Sequence, residues 1–173
     1  MPPVAINISG RTFDDPAIPN YISNLLNEHH VDPKRLIIEL TETAAVSDVQ
    51  DAQRFIEAVH QTGCRVCLDD FGSGFSTFGY LKYLGVEVLK IDGLFIRDLP
   101  NNPDNQIFVK AMVEVARGLG KITVAEFVED AATLSMVKNL GVDLAQGYYL
   151  GRPGASFPKD HRKTAVNYIE TTY

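Results

Sequence analysis

The 173-residue chain is 45% hydrophobic and 22% charged, which predicts one folded domain over residues 1–173 and excludes a disordered chain. Its net charge of −6 argues against a nucleic acid polymer as partner, because such partners require clustered lysine and arginine. The sequence contains neither a run of about 18–20 apolar residues nor a basic-then-apolar leader, so we expect a cytoplasmic segment without membrane contact.

Six short apolar runs recur along the chain, and each ends in polar residues. In chain order they are VAINIS (4–9), RLIIELTE (35–42), RVCLDDFG (65–72), VEVLKID (86–92), ITVAEFVE (122–129) and DLAQGYY (143–149). Several are nearly continuous in β-branched and apolar residues, which is typical of parallel strands buried on both faces. We predict a strand in each run.

Most of the stretches between these runs have helical spacing of apolar residues. The predicted helices cover residues 19–30, 47–62, 76–84, 104–119, 130–140 and 159–171. Ser47, Ser76 or Thr77, and Asp130 are the expected N-caps, and Gly63, Gly120 and Gly141 the expected stops. Such alternation predicts an α/β fold, as either an open doubly wound sheet or a (β/α) barrel. Polar residues at the end of every strand favour the barrel, although six strands are two short of eight.

The carboxyl ends of parallel strands meet at one end of such a fold, so the polar residues that follow them should lie close together. These residues are Asn7, Glu39, Glu42, Asp69, Asp70, Lys90, Asp92, Glu126, Glu129 and Gln146. So many carboxylates require cations. A set of oxygen ligands without histidine favours Mg²⁺ or Mn²⁺ over zinc.

Asp69 and Asp70 are adjacent, and adjacent residues of a regular strand point to opposite faces. Both can serve one site only if the strand ends there, which Gly72, Ser73 and Gly74 would permit. Two adjacent carboxylates could then bind two cations that clamp a phosphodiester. The alternative is a solvated turn that caps a helix. The glycine-rich 72–76 segment could cradle phosphate, but alone it is a weak signal.

Two further residues also have both a functional and a structural interpretation. Lys90 points to the same face as Asp92 and could orient an attacking water, or it could form a buried ion pair with a neighbouring carboxylate. Glu42 could be a base or a metal ligand, or it could cap a helix.

Six motifs together resemble the EAL-domain cyclic-di-GMP phosphodiesterases in order and spacing. They are NIS (7–9), ELTE (39–42), DDFGSGFS (69–76), KID (90–92), AEFVE (125–129) and QGYYLGRP (146–153). The resemblance covers about residues 4–153, with 154–173 as a C-terminal helical tail. It implies a TIM-like (β/α)8 barrel, of which the chain has about six of eight strands. It implies hydrolysis of cyclic di-GMP to linear pGpG in bacterial second-messenger signalling.

The resemblance also assigns roles to residues. It implies that Asn7, Glu39 and Asp69 bind one Mg²⁺ or Mn²⁺, and that Asp69, Asp70 and Glu126 bind a second. Lys90 matches the lysine that contacts the attacking water, so Lys90, Glu126 and Asp70 are the expected catalytic residues. Those expected to support the site or contact substrate are Glu42, Asp92, Glu129, Gln146, Ser73 and Gly74, with Glu42 bracing the loop after DDFG.

The chain departs from the family pattern in two places. Phe127 stands where the family often has glycine, and we expect the loop to tolerate it in an altered form. Only Met-Pro-Pro precedes Val4, so the two earlier strands are absent, including the Glu-Ala-Leu motif with its metal-ligand glutamate. This leaves three expectations: a piece of a longer enzyme that carries sensory or GGDEF domains or a membrane tether, a homodimer that covers the open edge, or a non-catalytic cyclic-di-GMP receptor.

Overall fold

The computed structural model describes residues 3–12, 15–74, 78–154 and 167–168. The described chain consists of two compact units, residues 1–88 and 89–173. In both, strands alternate with helices, as the apolar runs predicted. Six strands match the six runs, and the prediction of about six barrel strands is confirmed. Among the described residues, no helix is long and apolar enough to cross a membrane.

The first unit contains strands β1 (Val4–Asn7), β2 (Leu36–Thr41) and β3 (Arg65–Phe71), which pair in parallel in that order. Helices α1 (Ala17–Glu28), α2 (Glu42–Ser47) and α3 (Val49–Gln61) connect them. Short 3₁₀ helices cover Gly10–Thr12, Pro33–Arg35 and Phe78–Lys82. Ile38, Leu40, Val66 and Leu68 are fully buried in the centre of this unit.

The second unit contains β4 (Val88–Ile91), β5 (Ile122–Ala125) and β6 (Leu144–Ala145), followed by the two-residue strand β7 (Asn167–Tyr168). Strands β5 and β6 pair in parallel, and β6 and β7 pair antiparallel. The helices are α4 (Gly93–Ile96), α5 (Pro103–Gly118) and α6 (Ala131–Leu140), with a 3₁₀ turn at Leu99–Asn101. Leu89, Ile91, Ala125 and Val128 are fully buried.

The structure differs from the predicted elements in three places. The predicted 47–62 helix is α3, which begins at Val49, and its N-cap is Asp48, whose carboxylate accepts the amide hydrogen of Asp51 at 2.9 Å. The short helix α2 before it was not predicted. Ser47 instead ends α2 and donates to the carbonyl of Ala44. The tail helix over 159–171 is wrong at 167–168, which is strand β7. Its other residues lie outside the described residues, as do the expected caps Ser76 and Thr77.

Other predicted helix ends are confirmed. Asp130 is the N-cap of α6 and accepts the amide hydrogen of Thr133 at 2.7 Å. Gly141 ends the same helix with φ of 83°, in the left-handed region that favours glycine. Gly63 and Gly120 follow α3 and α5 with positive φ angles.

Candidate functional site

The first unit brings three predicted oxygen ligands to one face of its sheet. Asn7 of β1 lies opposite Glu39 of β2, and Glu39 lies opposite Cys67 of β3. Residues that pair across parallel strands share a face, and Asp69 is two residues beyond Cys67, so it shares that face as well. Glu39 is 8% exposed, whereas Asn7 is exposed at the edge strand. Asn7, Glu39 and Asp69 therefore form a diagonal of oxygen donors near the carboxyl ends of the strands.

Asp70 breaks the regular alternation of β3. Its φ is 55°, in the left-handed region where a residue with a side chain costs about 1–2 kcal/mol. The turn is held by hydrogen bonds: the Asp70 amide donates to Oδ1 of Asp69 at 3.1 Å, and the hydroxyl of Ser73 donates to the carbonyl of Asp70 at 2.8 Å. The two adjacent carboxylates are thus not constrained to opposite faces, as they would be in a regular strand.

Glu42 anchors the loop that follows. Its side chain is buried, at 1% exposure, and Oε2 accepts the amide hydrogens of Gly72 at 2.9 Å and Gly74 at 3.3 Å. The phenol of Tyr80 donates to Oε1. Burial, followed by the hydrogen bond to Glu42 and then its charge, raises the pKa of Tyr80 above its usual value, so the phenol remains a hydrogen-bond donor at neutral pH. With three donors around it, the Glu42 carboxylate braces the loop.

The capping role considered for Glu42 belongs to its neighbour. Thr41 is the N-cap of α2 and accepts the amide hydrogen of Ala44 at 3.4 Å. Glu42 is the first residue of α2, where a carboxylate also interacts favourably with the helix dipole.

In the second unit, Lys90 and Glu126 form a buried ion pair. Lys90 Nζ lies 2.8 Å from Glu126 Oε1, and the two side chains are only 8% and 12% exposed. The amide of Glu126 donates to the carbonyl of Ile91 at 3.3 Å, which places the residue beside the end of β4. The ion-pair interpretation of Lys90 is therefore realised. Burying a single unpaired charge costs much free energy, so a lysine and a glutamate as buried as these are expected to form an ion pair.

The other predicted residues of the second unit have separate settings. Asp92 is the N-cap of α4 and accepts the amide hydrogen of Leu94 at 2.8 Å. Glu129 is exposed and immediately precedes the N-cap of α6. Gln146 is exposed, and its backbone joins two loops: its amide donates to the carbonyl of Ala125 at 2.8 Å, and its carbonyl accepts from Val128 at 3.0 Å.

The loops after β5 and β6 approach each other closely at Gly147. A Cβ atom at this position would lie 2.6 Å from the carbonyl carbon of Val128 and closer still to its nitrogen and oxygen. The amide of Tyr149 donates to the Val128 carbonyl at 3.1 Å. Val128 itself is fully buried. Only glycine fits at residue 147 because backbone meets backbone there.

Phe127 occupies a conformation that suits glycine. Its φ is 51°, and its side chain is 42% exposed. The guanidinium carbon of Arg97 lies 3.8 Å from the centre of the ring, a cation–π contact worth about 0.5–1 kcal/mol at an exposed site. The ring also fills the space where a side chain at Gly93 would stand. These contacts offset the cost of the left-handed backbone.

Sequence reasoning missed three of these supporting residues. Tyr80 is 38 residues from Glu42, and no local pattern links a tyrosine in a 3₁₀ helix to that carboxylate. Arg97 and Gly93 looked like ordinary residues after KID, and only the departure at Phe127 signalled that the ring needed a partner. The donor set of the first unit, with carboxylate and amide oxygens on one face, suits a hard divalent cation.

Comparison with known proteins identifies the family of the chain. The family model described as EAL domain matches residues 1–153. A relative in Escherichia coli K12, named as a probable cyclic di-GMP phosphodiesterase, PdeA, is 34% identical over 152 residues, or 88% of this chain and 21% of that protein. The chain thus spans about a fifth of the length of this curated relative.

Solved structures give the same fold. The chain is similar to the PaMucR phosphodiesterase in complex with c-di-GMP, with a TM-score of 0.82 and 36% identity over 87% of this chain and 61% of that one. It is also similar to the FimX EAL domain of Pseudomonas aeruginosa bound to c-di-GMP, with a TM-score of 0.86, 27% identity and coverage of 91% and 65%. The predicted TIM-like α/β fold is confirmed, and the chain belongs to the EAL domain family.

Proposed function

We propose that this chain is a cyclic-di-GMP phosphodiesterase that hydrolyses one phosphodiester bond to give linear pGpG, using Mg²⁺ or Mn²⁺. Membership of the EAL family and relatives named as cyclic di-GMP phosphodiesterases support the general activity. The observation that carries the proposal is the diagonal of Asn7, Glu39 and Asp69 on one face of the first unit, because these residues match the family's ligands for one metal.

Asn7, Glu39 and Asp69 would hold one cation, and Asp69, Asp70 and Glu126 a second. When bound, divalent cations offset the charge of the substrate phosphates and make water a nucleophile near neutral pH. Without them, the dianionic substrate would be repelled by these carboxylates.

Lys90 would position the attacking water. Its ammonium group is a compact charge with three donors, and its contact with Glu126 fixes where that charge lies. Asp92, Glu129 and Gln146 would order the loops around Lys90 and Glu126. Glu42 would keep the 69–74 loop in place, and Ser73 and Gly74 would contact substrate.

A second candidate function is that of a non-catalytic receptor for cyclic di-GMP. The FimX EAL domain, to which the chain is similar, is described as bound to c-di-GMP. The similarity to that domain is the observation that favours this candidate, because a nucleotide can be bound without being hydrolysed. Binding of the nucleotide without hydrolysis would select it.

The wider setting is also part of the proposal. We expect the chain to work in the cytoplasm, next to sensory or GGDEF domains of a longer protein or as a homodimer. The relative PdeA, of which the chain spans 21%, supports a longer parent protein.

The test is chromatography of cyclic di-GMP incubated with the chain and Mn²⁺. We expect pGpG to accumulate, and Asp69→Asn and Glu126→Gln each to abolish it. Glu57→Gln, which alters an exposed carboxylate on α3, is the matched control and should keep full activity. Nucleotide binding without product would replace the enzyme with the receptor. If the chain neither binds the nucleotide nor forms product, both candidates are overturned.

A further inference from the structure

The acidic loop 126–129 in the second unit has a phenylalanine, Phe127, at a position where the backbone conformation favours glycine. Phe127 has φ of 51°, a conformation that glycine adopts freely and that phenylalanine avoids. A strained residue persists only where its surroundings over-determine it, and such residues cluster at functional sites.

Both neighbours of Phe127 are fixed. On one side, Glu126 is tied by its amide to Ile91 and by its carboxylate to Lys90. On the other side, Val128 is fully buried and its amide donates to the carbonyl of Gln146. The backbone angle at residue 127 therefore sets how the Glu126 end of the loop joins the anchored Val128 end.

The ring of Phe127 packs against the segment that follows β4. It lies over Gly93, where a Cβ atom would come within 2.8 Å of the ring atoms Cγ and Cε2. The guanidinium of Arg97, just after α4, covers the ring at 3.8 Å from its centre. The ring is thus packed between Gly93, which has no side chain, and the guanidinium of Arg97. We infer that this packing position determines the left-handed backbone at residue 127.

We propose that Phe127 is a positioning residue: its ring, seated between Gly93 and Arg97, fixes the 126–129 loop and so the direction of the Glu126 carboxylate. Glycine at residue 127 would reach the same backbone angle but would also allow many others. The inference rests on the proposed function only in taking the ordered Glu126 carboxylate to be a metal ligand. Residues that orient a ligand are worth about 10–100-fold in metal affinity or activity.

The test compares Phe127→Gly, Phe127→Leu and Arg97→Gln by Mn²⁺ titration and by hydrogen exchange at the Val128 amide. We expect Phe127→Gly to weaken Mn²⁺ binding about tenfold and to speed exchange at Val128, with smaller changes for the other two variants. Phe108→Leu, which trims another exposed ring of the second unit in contact with Phe95, is the matched control and should change neither.

Two results would overturn the proposal. One is a Phe127→Gly protein that melts lower but binds Mn²⁺ as tightly as the unsubstituted chain, because the ring would then serve stability alone. The other is unchanged exchange at Val128 in Phe127→Gly. The second result is independent of metal, so failure of the unsubstituted chain to bind Mn²⁺ would count against the proposed function and leave the loop still under test.

Discussion

The two acidic loops, one in each unit, are held in opposite ways. In the first unit, the loop after Asp69-Asp70 is braced by one buried carboxylate, Glu42, which accepts hydrogen bonds from Gly72, Gly74 and Tyr80. In the second unit, the loop after Glu126 is held by close packing, with Phe127 over Gly93 and Val128 against Gly147. The first loop depends on a polar acceptor, and the second depends on the lack of a side chain at Gly93 and Gly147.

The loops also share a feature, a left-handed residue that is not glycine beside an acidic side chain. Asp70 has φ of 55°, and Phe127 has φ of 51°. In both places the chain must turn as the strand ends, while the residue keeps a side chain. The same strained turn is therefore stabilised by hydrogen bonds in one loop and by packing in the other, and each loop is sensitive to a different kind of substitution.

The largest effect should come from removing the polar brace. Glu42→Ala leaves two amides and a phenol without their acceptor, and a buried donor without a partner costs about 1–3 kcal/mol. We therefore expect the free energy of unfolding, measured with urea, to fall by about 3 kcal/mol or more. Glu42→Gln, which keeps one acceptor oxygen, should lose clearly less. Equal losses for both variants would mean that volume, and not hydrogen bonding, holds this loop.

Adding one methyl group should disturb the packed loop. Gly147→Ala forces a Cβ atom into the backbone of Val128, and overpacking typically costs about 1–3 kcal/mol. The control is Gly118→Ala, where no atom lies within 4 Å of the new Cβ and the change falls at the end of α5, so unfolding should be unchanged or slightly harder. If Gly147→Ala had the same free energy of unfolding as the parent, this would contradict the close approach of the two loops.

The smallest effect should come from a site that belongs to neither loop. Hydrogen bonds from Thr133 hold the pKa of Asp130 below its usual value, and Asp130 caps α6. A lowered pKa in the folded state means that the charged cap stabilises above the unfolded pKa and that this stability is lost as the pH falls through the folded pKa. Asp130→Ala should lower the melting temperature at neutral pH by less than either loop variant, and the difference should shrink in acid. A difference that grew in acid would contradict this assignment.

Much of the fold followed from local patterns. The apolar runs located six strands, and Asp130 and Gly141 marked the ends of α6, because caps and strand burial are properties of neighbouring residues. The N-cap of the helix predicted over 47–62 was placed one residue early, because Asp48, one residue after Ser47, is an equally good N-cap and the chain uses it. The short strand at 167–168 depends on pairing with β6, which no local pattern reveals.

The candidate site was predictable to the level of residue types but not of partners. Acidic residues at strand ends are visible in the sequence. The brace from Tyr80 to Glu42, the pairing of Lys90 with Glu126, and the seat of Phe127 join residues 30 to 40 apart, or depend on an unfilled Cβ position. Such contacts are decided by tertiary packing, so a periodicity or a cap signal cannot supply them.

The most direct test of the central claim, that the strand-end carboxylates form a divalent-metal site, is thermal melting of the chain during titration with Mn²⁺. A ligand that binds the folded state raises the melting temperature by mass action. We predict a saturable rise for the unsubstituted chain and its loss in Asp69→Asn, with the control Glu57→Gln behaving like the parent. The same rise in Asp69→Asn, or no rise in the parent, would contradict the account.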